Sequence, residues 1–282
     1  MSLTVTKEQS SVKNFSTDNN VLTIKTVQIS PFKTLITALK DILLETNITF
    51  QPSGIKIINM DKSHTILCHC VLDAKNFEFY ECKKEKIIIG INVIHFFKLI
   101  NTIDNNDTLT IYIENNDYAD GIVTHLSLKF ENGEIKQCKT QKLRLIEPEQ
   151  EELSYPDVKF SSVINLPSND FQKIIRDLSN ISDKLEIKSV GNELIFKCAG
   201  QFASAELRRT ETDGSMEFIL KQDSTKIIQG EFSLKNLGYF IKCTNLCSQI
   251  ELFLENDLPL VVKYNVASLG TITLCLSALP SS

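Results

Sequence analysis

No apolar run in this 282-residue chain approaches the ~18 residues that a membrane-crossing helix requires. The first residues also lack the basic-then-apolar pattern of a secretory signal. A soluble, intracellular protein with no membrane partner is expected. Cysteine is sparse, 8 in all, and several of these residues sit inside strongly apolar segments. That excludes a disulfide scaffold and points to reduced thiols. Positive charge is in deficit: 30 Lys and Arg face 35 Asp and Glu, for a formal net charge of −5. Such a chain does not coat nucleic acid through bulk charge, although a local basic track remains open.

Catalytic signatures are missing as well. The sequence holds no glycine-rich phosphate loop, nucleophile elbow, zinc-binding helix or pair of catalytic residues on loops. Asp61 and His64 are close in sequence but have no nucleophile beside them, so no enzymatic role and no cofactor are expected. Cys68 and Cys70, with His64 and His69 nearby, have the chemistry of metal ligands. Strand alternation, however, puts both thiols on one face with ordinary packing residues, and no metal is expected there. Cys243 and Cys247 lie at a helix end, where burial is the expected role.

What the chain does contain is enough apolar material, 42% of residues, for one large core or two of ordinary size. Residues 31 to 45 place Phe32, Leu35, Ile36, Leu39, Ile42 and Leu43 at helical spacing, with Pro31 at a favourable start. Residues 168 to 181 do the same with Phe171, Ile174, Ile175, Leu178 and Ile181, with Ser168 expected as the N-cap. Shorter helices fit residues 92 to 103 and 233 to 243. Between them run short β-branched and aromatic segments, among them Thr108 to Glu114, Gln249 to Leu254 and Leu260 to Val266, separated by Asn, Asp and Gly turns. The expected class is α+β, dominated by strands.

The chain also repeats itself. Phe32 and Phe171 open matching helices, Gly90 and Gly230 precede matching second helices, and two similar strands end at Glu114 and Glu255. By subtraction the offsets are 139, 140 and 141 residues, the signature of two copies of one domain. The expected organisation is a flexible extension over residues 1–20, a first domain over 21–139, an acidic connector over 140–157 and a second domain over 158–282. Within the connector, LRLIEPEQEELSYP carries two prolines and four glutamates.

Each of the four helices carries cationic or titratable groups away from its apolar stripe. Lys33 and Lys40 lie seven apart on the first, and Lys235 and Lys242 repeat that spacing on the fourth. His95 and Lys98 lie on the second helix, Lys173 and Arg176 on the third. One such helix is an ordinary solvated face. Four of them in an acidic chain suggest phosphate contacts made without reading base edges.

Several segments, taken in order, resemble the proliferating cell nuclear antigen family. They are SGIKIINMDKSHTIL (53–67), GINVIHFFKLI (90–100), DFQKIIRDLSNISD (170–183) and PLVVKYNVASLGTI (259–272), which together span nearly the whole folded region. The resemblance implies two tandem clamp domains with sheets outside and two helices per domain lining an inner face. It further implies a head-to-tail homotrimer with pseudo-sixfold symmetry around duplex DNA. Lys33, Lys40, Lys98, Lys173, Arg176, Lys235 and Lys242 fall at the family's DNA-facing positions, whereas Thr34, Asn101 and Asn180 stand where a charge is common.

A pocket for partner peptides is implied at Met60, His64, Thr65, Leu67, Leu153, Tyr155 and Pro259. Cys275 and Ala278 depart from the family there, replacing an aromatic residue and a proline. Glu147, Glu149, Glu151 and Glu152 on the connector offer negative charge to basic flanks of a partner. Subunit-pairing edges are placed by position at Gly121 to Phe130 (Ile122, Thr124, Leu126, Leu128) and Phe202 to Arg209 (Phe202, Ala203, Ala205, Leu207).

The function implied is that of a sliding clamp, a processivity factor that tethers DNA polymerase, ligase, nuclease and clamp loader through peptide motifs. Two other readings stay open: a clamp-like factor acting as monomer, dimer or heteromeric-ring subunit, and a scaffold that does not bind DNA. The wealth of Ile, Asn and Lys suggests an AT-rich genome of a virus or protist. That would place the protein in a nucleus or, if viral, in a cytoplasmic replication factory.

Overall fold

A computed structural model describes residues 19–149, 153–155, 158–221 and 226–280. Most of the expected 1–20 extension, and Glu151 and Glu152 of the connector, lie outside the described residues.

The first half runs β1 (Asn20–Thr26), α1 (Ile29–Ile42), β2 (Glu45–Gln51), β3 (Gly54–Met60), β4 (Ile66–Asp73), β5 (Phe79–Cys82) and β6 (Ile87–Asn92). It continues with α2 (Val93–Ile100), β7 (Thr108–Glu114), a two-stranded hairpin β8 (Tyr118–Ala119) and β9 (Ile122–Val123), then β10 (His125–Asn132) and β11 (Gln137–Arg144). The second half repeats the plan without that small hairpin. Its elements are β12 (Ser162–Pro167), α3 (Ser168–Ser179), β13 (Lys184–Val190), β14 (Glu193–Ala199), β15 (Ser204–Thr210) and β16 (Glu217–Leu220). β17 (Ile228–Ser233), α4 (Leu234–Phe240), β18 (Gln249–Leu254), β19 (Leu260–Val266) and β20 (Gly270–Leu276) complete it.

The duplication holds strand by strand. The order β11-β10-β7-β1-β5 in the first half matches β20-β19-β18-β12-β16 in the second, and β4-β3-β2-β6 matches β15-β14-β13-β17. Pairing of β20 with β4, from Gly270↔Leu72 to Leu276↔Ile66, joins the halves into one nine-stranded sheet. Here the chains approach so closely that a Cβ on Gly270 would fall 2.0 Å from the Val71 carbonyl oxygen. The class is α+β, as the alternation and helical periods imply.

All four helices differ in their boundaries from the periodic stretches. α1 begins two residues before Pro31 and stops at Ile42, because Leu43 is already extended and residues 45 onward pair with β6. Proline remains tolerable within the first turn, where its missing N–H has no intrahelical partner. Ser168 is not the N-cap of α3. Pro167 holds that position, and the buried Ser168 hydroxyl donates to the carbonyls of Thr244 and Cys247, at 3.2 and 2.6 Å. α2 and α4 are shorter than their periodic stretches, but share a cap at equivalent positions. Asn92 accepts from the His95 amide, and Ser233 from the Asn236 amide.

The helices bury one stripe each against the sheets. On α1 the stripe is Ile29, Phe32, Leu35, Ile36 and Leu39, and Phe32 meets Phe96 of α2 edge-on with ring centroids 6.4 Å apart. α1 also packs on α4 and on the helical turn at 241–246, so the helices of both halves form a continuous layer. β4 alternates cleanly, with Ile66, Cys68, Cys70 and Leu72 buried and Leu67, His69 and Val71 turned outward. Cys68 and Cys70 are thus core residues, and burial raises both thiol pKa values far above their ordinary range. Cys243 is buried in the same region and raised for the same reason.

Candidate functional site

Two surfaces bear the expected functional residues: the outward side of the helical layer and the opposite, outer face of the nine-stranded sheet. On α3 the buried stripe is Phe171, Ile174, Ile175 and Leu178, and the 3.6-residue turn leaves Lys173, Arg176 and Asn180 opposite it. Lys98 on α2, Lys235 on α4 and Lys242 in the following turn are likewise exposed, as is His95. Lys98, Lys173, Arg176, Lys235 and Lys242 make no ion pair among the described residues. One acid, Asp177, is exposed beside Arg176.

The first helix departs from the expectation. Lys33 and Lys40 do share a side, but it lies about a quarter turn from the buried stripe rather than opposite it. Lys33 is therefore half-buried and donates to the Ile103 carbonyl at 2.7 Å. Lys40 pairs with Asp41 and lies 5.0 Å from the centre of the Phe97 ring. The outward ridge of α1 carries Ser30, Thr34, Thr37 and Asp41, and the Thr34 and Thr37 hydroxyls fold back onto helix carbonyls.

On the sheet's outer face, Met60, Leu67, Cys275 and Val261 are successive cross-strand partners on β3, β4, β20 and β19. Val261 was not among the expected pocket residues. Its place follows only from the β19–β20 register. At one end of this row the turn between β3 and β4 is organised by Asp61. Its carboxylate accepts from the amides of Thr65 (2.8 Å), Ile66 (2.7 Å) and Ser63 (3.2 Å) and from the Ser63 hydroxyl. His64 sits exposed at the apex with φ of 54°, a conformation that this bonding holds in place. The Thr65 hydroxyl accepts from Asn236 of α4 at 3.3 Å, fixing the turn to the second half. Pro259 and Ala278 are exposed, flanking β19 and following β20.

Partial burial pulls the Asp61 pKa upward, but the hydrogen bonds from Ser63, Ile66 and Thr65 outweigh it and hold the carboxyl below its usual value. A depressed folded-state pKa contributes stability above the unfolded value of about 3.9, and that contribution is lost as pH falls through the folded value. The turn is therefore expected to keep its structure down to pH ~4 and loosen only below it. Amide shifts of Ser63 to Ile66 followed through an acid titration check this, and Asp61→Asn should abolish the transition.

The chain after β11 crosses this same face. Ile146 bridges to Gly90, with its amide 3.0 Å from the Gly90 carbonyl, and Glu149 exchanges two main-chain bonds with the Asn47 side chain at 2.8 and 3.0 Å. Tyr155 then stacks on His69, centroids 4.9 Å apart, and its hydroxyl shares a hydrogen bond with Cys275. β11 extends to Arg144 and β12 starts at Ser162, so residues 140–144 of the expected connector belong to a strand.

Burial pushes the Tyr155 pKa up to about 12 and the Cys275 thiol up to about 11. Burial also lowers His69, aided by Lys56, so its ring is neutral at pH 7. Tyr155→Ala should uncover Cys275 and speed its alkylation severalfold, an effect partly offset because the variant also loses the hydrogen bond by which Tyr155 lowers the thiol pKa. Site-resolved mass spectrometry of a timed iodoacetamide reaction measures this.

The strand edges differ from expectation on one side. β10 pairs with both β11 and β7, so Gly121 to Phe130 is not an edge. Leu126 and Leu128 are core residues, Ile122 belongs to the small hairpin, and the Thr124 hydroxyl faces Asp117. The outer strand beside β10 is β11, and β5 ends the sheet on the other side. β15, by contrast, is an edge strand as expected, with Phe202 exposed before it and Ala203, Ala205 and Leu207 half-buried.

Comparison with known proteins places these features. Residues 21–152 match the model of the proliferating cell nuclear antigen N-terminal domain, and residues 154–279 match that of its C-terminal domain. The chain belongs to the proliferating cell nuclear antigen family. It is 32% identical over 260 residues to a probable DNA polymerase sliding clamp of Paramecium bursaria Chlorella virus 1, covering 90% of this chain and 95% of that one. It is 28% identical over 301 residues to a probable DNA polymerase sliding clamp of Acanthamoeba polyphaga mimivirus, covering 94% of this chain but 63% of the relative. Within this family member, the halves joined through β20 and β4 are the two family domains, and the segment crossing the outer face is their connector. No helix among the described residues is long and apolar enough to cross a membrane.

Proposed function

We propose that this family member is a DNA sliding clamp: a non-catalytic processivity factor that encircles duplex DNA and holds a DNA polymerase to it. One observation carries the reading. The chain pairs β20 of the second domain with β4 of the first, yet the repeat equivalents of those strands, β11 and β15, are both free outer edges. What the chain does once internally it is built to do again between copies, β11 of one with β15 of the next. Such a heterologous contact forms a ring if the rotation closes, and three two-domain chains give pseudo-sixfold symmetry.

A ring of this kind turns the helical layer toward the hole. Lys98, Lys173, Arg176, Lys235 and Lys242 then meet phosphates, while Lys33, Lys40 and His95 lie to the side or contribute weakly. The row Met60, Leu67, Cys275 and Val261, with Tyr155 above it, is the tethering surface for apolar peptide anchors of polymerase, ligase, nuclease and clamp loader. Family membership and viral relatives favour action at sites of DNA replication, in a nucleus or a viral replication factory.

Topology tests the reading. Loaded onto a nicked circular plasmid, the protein should survive a high-salt wash and leave when the plasmid is linearised. Equal loss from both forms would overturn the encircling ring.

A further inference from the structure

The connector divides the outer face of the nine-stranded sheet into two sides, and only one of them carries the Met60 row. On the other side is a groove of about 1100 Å³. Its floor is rigid sheet: Thr49 on β2, flanked by its cross-strand partners Lys56 on β3 and Ile88 on β6. One wall is the hairpin stretch Gly121–Thr124, where Ile122 is 68% exposed, and the other is the connector from Leu145 to Glu149 with Leu153.

The lining combines apolar and cationic groups. Ile58, Ile88, Ile122 and Leu153 supply apolar surface, and Lys56, Lys86 and Arg144 supply positive charge in a chain whose net charge is −5. Of the two lining acids, Glu149 is held by Asn47 through its main chain, and its carboxylate lies 3.5 Å from Asn59. The volume exceeds the roughly 300–1,000 Å³ of most small-molecule sites, whereas an extended peptide matches an open trough floored by a sheet.

We propose that this groove is a second docking site, for an extended peptide of a partner protein in which acidic and apolar side chains alternate. Apolar side chains of such a peptide reach Ile58 and Ile88, and its carboxylates reach Lys56 and Arg144. Electrostatic complementarity of this sort fixes register and excludes basic segments such as those suited to the connector's glutamates. The site meets the Met60 row at the connector and on β3, where Ile58 precedes Met60 by two residues, but none of Met60, Leu67, Cys275 and Val261 lines it.

The test uses three fluorescein-labelled peptides of one length: alternating Glu and Leu, the same with Gln for Glu, and the same with Lys for Glu. Fluorescence anisotropy on the full-length protein should give saturable binding of the glutamate peptide alone. Lys56→Glu combined with Arg144→Glu should weaken it about tenfold or more, with unchanged circular dichroism. Met60→Ala with Leu67→Ala should leave it intact. Thr49→Tyr, which fills the floor without altering charge, should also block binding.

Absence of saturable binding would overturn the proposal. So would equal binding of the lysine peptide, or loss of binding in the Met60/Leu67 variant alone. Self-association removed by Thr49→Tyr would assign the groove to a second copy and likewise overturn it. None of these readouts depends on DNA loading, so the outcome is independent of the clamp reading.

Discussion

Leu207→Asp is expected to break the assembly into folded single chains and abolish processivity. Leu207 lies on the edge strand β15, half-buried and packed against the core, with Phe196 of β14 on one side and no strand on the other. In the proposed ring, β11 of the next subunit covers it and makes it interior. Loss of a buried leucine costs about 2–5 kcal/mol, a weakening of each junction from tens-fold to thousands-fold, and an unpaired aspartate adds to that. Sedimentation velocity at micromolar concentration, with circular dichroism as the folding control, reads the outcome. A wild-type protein already monomeric under those conditions would remove the basis of the prediction. Leu128→Asp gives the contrast: Leu128 is 0% exposed on the interior strand β10, so that change should unfold the first domain instead of dissociating the ring.

The second large effect is expected from reversing charge on three helices. Lys98→Glu, Lys173→Glu and Lys235→Glu together place three new negative charges per subunit on the surface proposed to face phosphates, and should lower processive synthesis by at least roughly tenfold at physiological salt. The defect should deepen as salt is reduced, because repulsion is then less screened. Lys33→Glu with Lys40→Glu should impair synthesis less, since those ammonium groups already serve the Ile103 carbonyl, Asp41 and Phe97. Primer-extension lengths over a salt series separate the two sets. Equal defects would show that the flank of α1 faces DNA as directly as α3 does.

Much of the fold was legible in the residues. The helical stripes around Phe32 and Phe171 and the repeat near 140 residues survive in the structure because they are local facts, fixed by 3.6- and 2-residue periods acting on each segment separately. β4 read correctly for the same reason: alternation alone puts Cys68 and Cys70 together in the core. The helix ends were less legible. Leu43 could extend α1 by propensity and Ser168 could cap α3, but strand pairing ended the first helix, and the Ser168 hydroxyl went to the Thr244 and Cys247 carbonyls while Ser168 itself became the first residue of α3.

The candidate sites were legible only in part. Seven-residue spacing placed Lys33 and Lys40 on one side of α1, but which side depends on the centre of the buried stripe, which packing against α2 and α4 sets. Met60, Leu67, Cys275 and Tyr155 came together as the family resemblance implied, whereas Val261 needed the register between β19 and β20.

By itself, the sequence determined a duplicated α+β chain with basic helices and with Cys68 and Cys70 in the core, because each of these follows from residue types and short periods. Only the tertiary structure decided which strands are edges. HLSLKF alternates equally well inside a sheet or at its rim, and nothing within a strand records whether one neighbour or two will pair with it. The groove beside the connector belongs to the same class of fact: β2, β3, β6, the small hairpin and the connector build it from segments distant in sequence, so no single segment carries its signal.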